Sequence, residues 1–232
     1  MIDKDKKYAV LTGDLVKSSS LTGQKSKKAM ERLQKLTTEI DEFNLGAVVG
    51  KIDTFRHDSW QLLLESPESC LKVAVFIRVG LKMESDAKTK YDTRISIGIG
   101  GVETLEKNRI SNSRGPAFTY SGKGLDTIGG QYLAFMYDNQ KTILLSVLEH
   151  GLIPMLDCIV GDWTAKESRA IYCSIKGLTQ EETAQQWLPD KKAGKTITRQ
   201  AVSGTLIRAH WNEVNKVLEW IESGIKQAIK LA

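Results

Sequence analysis

The chain has little of what commits a sequence to special chemistry or architecture. Its 3 cysteines, Cys70, Cys158 and Cys173, are odd in number, far apart and in no Cys-x-x-Cys or Cys/His arrangement, which argues against a disulfide framework and a cysteine-built zinc site. They read as reduced, structural thiols. Histidine is equally scarce at 3 residues; His150 and His210 stand without companion ligands, and no Ser/His/Asp, Cys/His or phosphate-loop pattern has usable spacing. Only 4 prolines accompany 19 glycines, and no low-complexity tract or internal repeat is visible. Long apolar runs are missing too. The first, Tyr8 to Gly13, meets Asp14 too early even for a signal-peptide core, so the expectation is a cytoplasmic protein with no membrane partner. Nor does one charge dominate: 33 Lys+Arg against 28 Asp+Glu gives +5, enough to allow nucleic acid as a partner but not to demand it.

What is present is ordinary globular material, 41% hydrophobic and 26% charged over 232 residues, one or two domains by length. The run Tyr8 to Gly13 reads as a buried strand whose end carries Asp14. Gln24 to Phe43 repeats apolar residues at Met30, Leu33, Leu36 and Ile40, the spacing of an amphipathic helix. Ala47 to Phe55 and Ser59 to Leu64 are strand-like and close enough across Arg56-His57-Asp58 for a hairpin. Pro67 opens a helix with Leu71, Val75 and Val79 on one face, Thr93 to Val102 is a further strand, Gly115-Pro116-Ala117 opens a helix to about Ile128, and Tyr132 to Tyr137 is one more strand. The order β-α-β-β-α-β-α-β implies an α+β, ferredoxin-like palm with helices on one face of its sheet.

From about Thr142 the pattern is helical only, so the expected boundary falls near residue 150: a palm over 1–150 and an all-α unit over 151–232. Thr164 with Glu167 and Thr179 with Glu182 have the spacing of capping boxes. Thr179 to Leu188 and Thr198 to Arg208 read as the two short helices of a helix-turn-helix, the second as reader. Its candidate DNA-binding residues are Lys191, Lys192, Lys195, Thr198, Arg199, Gln200, Ser203 and Arg208; from Lys191 to Arg208 there are five Lys/Arg and no acid, the footprint of phosphate contact, while Arg and Gln suit guanine and adenine edges. The connection, Pro189 to Ile197, is longer than such motifs normally use, and a helical protein-interaction module is the alternative. In the last helix Trp211, Val214, Leu218, Ile221, Ile225 and Ala228 form a heptad-like stripe, either a homodimer seam or packing within its own unit.

Asp14 and Asp58 each end or begin a strand of the proposed sheet. If those strands are neighbours, both carboxylates emerge at one edge, where two oxygen ligands suit Mg²⁺ completed by substrate phosphates, or two metals roughly 3.5–4 Å apart; two turn-capping carboxylates are the alternative. His57 either tunes that site or decorates the hairpin. Arg114 and Lys123 flank the Gly115-Pro116 turn, where a helix start receives a nucleotide phosphate or other anion, or else are solvated surface charge.

The segments Leu11-Thr12-Gly13-Asp14-Leu15-Val16-Lys17-Ser18-Ser19, His57-Asp58-Ser59-Trp60-Gln61, Arg94-Ile95-Ser96-Ile97-Gly98-Ile99-Gly100 and Gly115-Pro116-Ala117-Phe118, with Trp163-Thr164 and the helix-turn-helix, resemble the SatD family of bacterial proteins over nearly the whole chain. More distantly, the N-terminal half resembles the palm of class III nucleotidyl cyclases, with Asp14 and Asp58 at the positions of their two metal-binding aspartates. His57 stands where those enzymes usually have Gly, and Asp126 and Gly130 where they carry an Asn and an Arg that steady the transition state. The helix-turn-helix pattern and the acid-free basic segment point to a SatD-like DNA-binding regulator of transcription with a nucleotide- or metal-sensing, cyclase-like palm. The alternative is a Mg-dependent nucleotidyl cyclase or transferase using Asp14 and Asp58.

Overall fold

The computed structural model describes residues 6–18, 22–137, 143–187 and 197–230. Strands β1 (Tyr8–Leu15), β2 (Val48–Phe55), β3 (Ser59–Leu64), β4 (Thr93–Gly100) and β5 (Leu133–Tyr137) form one sheet in the order β2-β3-β1-β4-β5. All neighbours are antiparallel except β4 and β5. β1 is central, and seven of its eight residues are buried, as expected of a strand covered on both faces.

The three helices of this half are α1 (Gly23–Glu42), α2 (Cys70–Lys82) and α3 (Pro116–Thr127). They do not share a face, which corrects the expectation of a one-sided sheet. Ala9, Leu11, Leu15, Ile95 and Ile97 join α1 and α2 in the main core, whereas Tyr8, Val10 and Leu63 point the other way, against Ala117 of α3. Alternation along β1 places the two sets on opposite faces. Gly98 is what lets α3 come this close, because a Cβ there would strike the Ala117 carbonyl and the Ser121 amide. Helix α2 departs from its expected single apolar face: every residue from Cys70 to Lys82 except Lys72 is buried, since the sheet covers one side and later helices the other.

After β5 the described residues are helical, as the pattern implied. Helix α4 (Ile143–Val147) runs through a π turn at Leu148–Leu152 into α5 (Ile153–Asp162); then come α6 (Ala165–Ile175), α7 (Gln180–Gln186), α8 (Arg199–Arg208) and α9 (Trp211–Lys230). Both capping boxes form: Thr164 and Glu167 start α6, Thr179 and Glu182 start α7. These helices lie against the sheet half. Phe76 of α2 stacks on Tyr172 of α6 with ring centroids 5.2 Å apart, and the Tyr172 hydroxyl donates to Glu39 of α1 at 2.6 Å. Burial, then that carboxylate, pushes the Tyr172 hydroxyl well above its ordinary range. The heptad-like stripe of α9 is consumed inside the chain: Trp211, Val214, Leu218, Ile221, Ile225 and Ala228 are all buried in the same apolar cluster as β1. It is therefore not an exposed dimer seam.

Candidate functional site

Antiparallel pairing of β1 with β3 and β4 sets Asp14 between Ser59 and Arg94. The loop of the β2–β3 hairpin meets β1 through the amide of Leu15, which donates to the Asp58 carbonyl at 2.9 Å. Phe55 pairs with Ser59, so Arg56, His57 and Asp58 form the loop, with positive φ at Arg56 (51°) and His57 (66°). Asp14 and Asp58 thus reach the same β1/β3 edge, as their strands require. Asp58 accepts from the Ser18 hydroxyl at 2.6 Å and from Ser59 at 3.3 Å. Asp14 is engaged on both oxygens by one guanidinium: Arg94 Nε donates to Oδ1 at 2.8 Å and Nη2 to Oδ2. That bidentate partner, with Asp58 contributing more weakly, raises the Arg94 pKa.

The donor set suits Mg²⁺ in one specific sense. Mg²⁺ is ordinarily held by one or two carboxylates plus phosphates and water, and two carboxylates are here. No group of three or more His, Cys, Asp or Glu that could hold an ion occurs among the described residues, so the protein alone makes an incomplete shell. A metal on Asp14 also has to displace Arg94, whose side chain is 38% exposed and has room to swing outward.

Arg114 and Lys123 come together in a different place. They line one cleft of about 650 Å³ over the α3 face of the sheet, with Gln61, Glu103, Ser111, Ser113 and Tyr120. Its floor is polar: Gln61 donates to Thr12 at 2.8 Å, and Thr12 and Ser121 share a hydrogen bond of 2.8 Å. Gly115, at φ 144°, turns the chain into α3 against the Gly101 carbonyl. Gln61 of this lining pairs with Thr12, two residues from Asp14 along β1, about 7 Å of strand rise. Neither Asp14 nor Asp58 lines this cleft. Arg114 and Lys123 line it together.

On α8, Thr198 caps the helix by accepting from the Ala201 amide at 3.2 Å. Arg199 and Gln200 are exposed beside it, and Ser203 is half-buried. Arg208 is exposed and donates to Thr205 at 3.1 Å, while Val202, Thr205 and Leu206 face inward. Lys191, Lys192 and Lys195 lie outside the described residues.

Sequence reasoning missed the buried charge cluster between the two halves. Arg78 of α2, 1% exposed, donates to Asp92 at 3.1 and 2.9 Å and to Asp157 of α5 at 2.6 Å. Burial alone lowers an arginine pKa, but the two carboxylates outweigh it and hold the guanidinium charged. Lys82, one turn on, donates to the Gly161 carbonyl at 2.6 Å, and its burial pulls the ammonium below the ordinary lysine range. The available signal was an arginine and a lysine four apart in a helix that is apolar from Val73 to Ile77.

No protein-family model matches the chain, and no curated protein matches it by sequence. Among solved structures, the chain is similar to nucleotidyl cyclase domains. A guanylyl cyclase shares 18% identity over 56% of this chain and 74% of its own, with a TM-score of 0.40. The dimeric guanylyl cyclase domain of a fusion protein from the aquatic fungus Blastocladiella emersonii shares 17% over 53% and 74%, at 0.38. Adenylate cyclases from Trypanosoma brucei share 11% over 57% and 74%, at 0.41. No helix among the described residues is long and apolar enough to cross a membrane.

Proposed function

We infer that the sheet half of this chain binds a nucleotide, with Asp14 and Asp58 holding a divalent cation once triphosphate oxygens complete its shell, as a nucleotidyl cyclase or transferase would. The observation that supports this is the placement of both aspartates at the same partly exposed end of β1 and β3, with Ser18 on Asp58 and Arg94 on Asp14. Bound Mg²⁺ would neutralise phosphate charge there; the chain's own part is to aim two carboxylates and exchange Arg94 for the ion. Arg114 and Lys123, on the cleft beside α3, are anion-holding groups of the same sheet face. The test is incubation with each nucleoside triphosphate and Mg²⁺ or Mn²⁺. Product that needs metal and disappears in Asp58→Asn marks catalysis, whereas metal-dependent binding without product marks a sensor. Absence of any metal-dependent nucleotide binding removes the reading.

A second reading concerns the C-terminal helices: a DNA-binding regulator in which α8 reads the major groove. It is supported by the exposure of Thr198, Arg199 and Gln200 on the first turn of α8 above a buried Val202 and Leu206. Arg199→Ala and Gln200→Ala together should then weaken binding to duplex DNA, and affinity should fall as salt rises. Indifference of α8 variants, or no affinity at low ionic strength, leaves a helical protein-interaction module. Cytoplasmic location belongs to the same proposal.

A further inference from the structure

A second cleft, of about 450 Å³, lies on the seam between the sheet half and the C-terminal helices, on a different wall of the molecule from the cleft of Arg114 and Lys123. Its sides come from Val16 and Lys17 after β1, Arg78 and Lys82 of α2, the 85–92 connection, Tyr132, and Gly161 to Ala165 at the α5–α6 junction. The size is that of a small-molecule pocket.

The chemistry of the walls is specific. Three aromatic side chains, Tyr91, Tyr132 and Trp163, meet four cations, Lys17, Arg78, Lys82 and Lys90, against two acids, Asp92 and Asp162. Arg78 is neutralised by Asp92 and Asp157 and sits over the Tyr132 ring at 5.3 Å, so its role is to stiffen the wall. Lys82 is different. An ammonium has three donors; one goes to the Gly161 carbonyl at 2.6 Å, and Asp92 lies at 3.7 Å, beyond a short hydrogen bond. The group is nearly buried yet lines the cavity, where burial lowers its pKa against the opposing pull of Asp92 and Asp162. Lys90 stands exposed at the rim. Ala165, the first residue of α6, reaches the same wall, with the helix start already capped by Thr164 and Glu167.

We propose that this seam cleft binds a small planar molecule carrying a phosphate, its ring against Tyr132 and its phosphate between Lys82 and Lys90. The site goes beyond the nucleotide reading of the sheet edge, since it uses none of Asp14, Asp58, Arg114 or Lys123. Its occupant touches both halves of the chain at once. A ligand that favours one arrangement of those halves over another shifts their balance.

The probe is adenosine monophosphate, titrated calorimetrically into the full chain, with adenosine and inorganic phosphate as separate titrants. Two variants address the cleft while preserving the fold. Lys90→Glu reverses an exposed rim charge, and Ala165→Glu adds an acid at the first position of a helix, which the helix itself favours. Each should weaken adenosine monophosphate at least about tenfold, while Lys216→Glu, an exposed charge on α9 outside both clefts, leaves the affinity unchanged. No binding by the intact chain, or binding indifferent to Lys90→Glu and Ala165→Glu, overturns the proposal. Binding lost only in the double variant R114E/K123E places the nucleotide over the sheet, which overturns the seam site and leaves the sheet reading standing. Inorganic phosphate or adenosine binding as tightly as the monophosphate removes the ring or the phosphate from the proposal, respectively.

Discussion

At the scale of single residues, the decisive contact is the one between Arg94 and Asp14, because it places an organic cation where a metal is expected. A partly exposed ion pair contributes only about 0–1 kcal/mol, so Arg94→Ala should change stability little. It should also free both oxygens of Asp14. If Asp14 holds a cation, Mn²⁺ affinity measured by electron paramagnetic resonance rises in Arg94→Ala and falls in Asp14→Asn; equal affinities in all three proteins remove Asp14 from any metal site. Arg78 behaves oppositely. Its two carboxylate partners are 13% and 9% exposed, and removing the guanidinium leaves both without it. Arg78→Met should cost about 3–5 kcal/mol by urea unfolding, and Asp157→Asn added to it should recover part of the loss. A full recovery by neither, with a cost below 1 kcal/mol, would mean that water reaches the pair. Asp14 and Asp58 were legible because strand ends and a hairpin can be read from spacing. Arg94 as their partner was not, since cross-strand register depends on bulges and turns that local pattern does not encode.

Among elements, legibility followed the strength of local chemistry. The hairpin, both capping boxes and the β-α-β-β-α-β-α-β order rest on contacts within a few residues, and all stand in the structure. What local pattern could not tell was the face of the sheet each helix takes. The strand Thr93–Gly100 alternates isoleucine with small residues, Ile95, Ile97 and Ile99 on one side and Ser96, Gly98 and Gly100 on the other. Small residues on a covered face mean a close-lying helix, and α3 is that helix. Gly98→Val should therefore overpack the α3 contact by about 1–3 kcal/mol or more, lowering the melting temperature by several degrees for a chain of this size. The same substitution at Gly122, where a Cβ meets nothing within 4 Å, should be nearly silent. Equal melting temperatures for the two variants would mean that α3 does not lie on β4. At α7 a Thr179→Ala change removes a formed cap and should cost about 1 kcal/mol.

For the whole molecule, the question is whether a boundary near residue 150 separates two folding units. The apolar cluster is continuous from Ala9 of β1 to Ala228 of α9, and α2 has no free face, because Phe76 and Arg78 on its far side meet Tyr172 and Asp157. Cutting the chain at residue 150 would expose that side and strand Arg78 without one of its carboxylates, with Glu39 losing the Tyr172 hydroxyl. Calorimetry of the full chain should therefore show one cooperative transition, and residues 1–150 alone should show no sharp one, with collapsed but loosely packed behaviour. The physical reason is that a unit is independent only when its own residues cover its core. Two separate transitions, or a fragment 1–150 that melts as sharply as the parent, would show instead that the seam of Arg78, Lys82 and Tyr172 is a docking surface between finished domains.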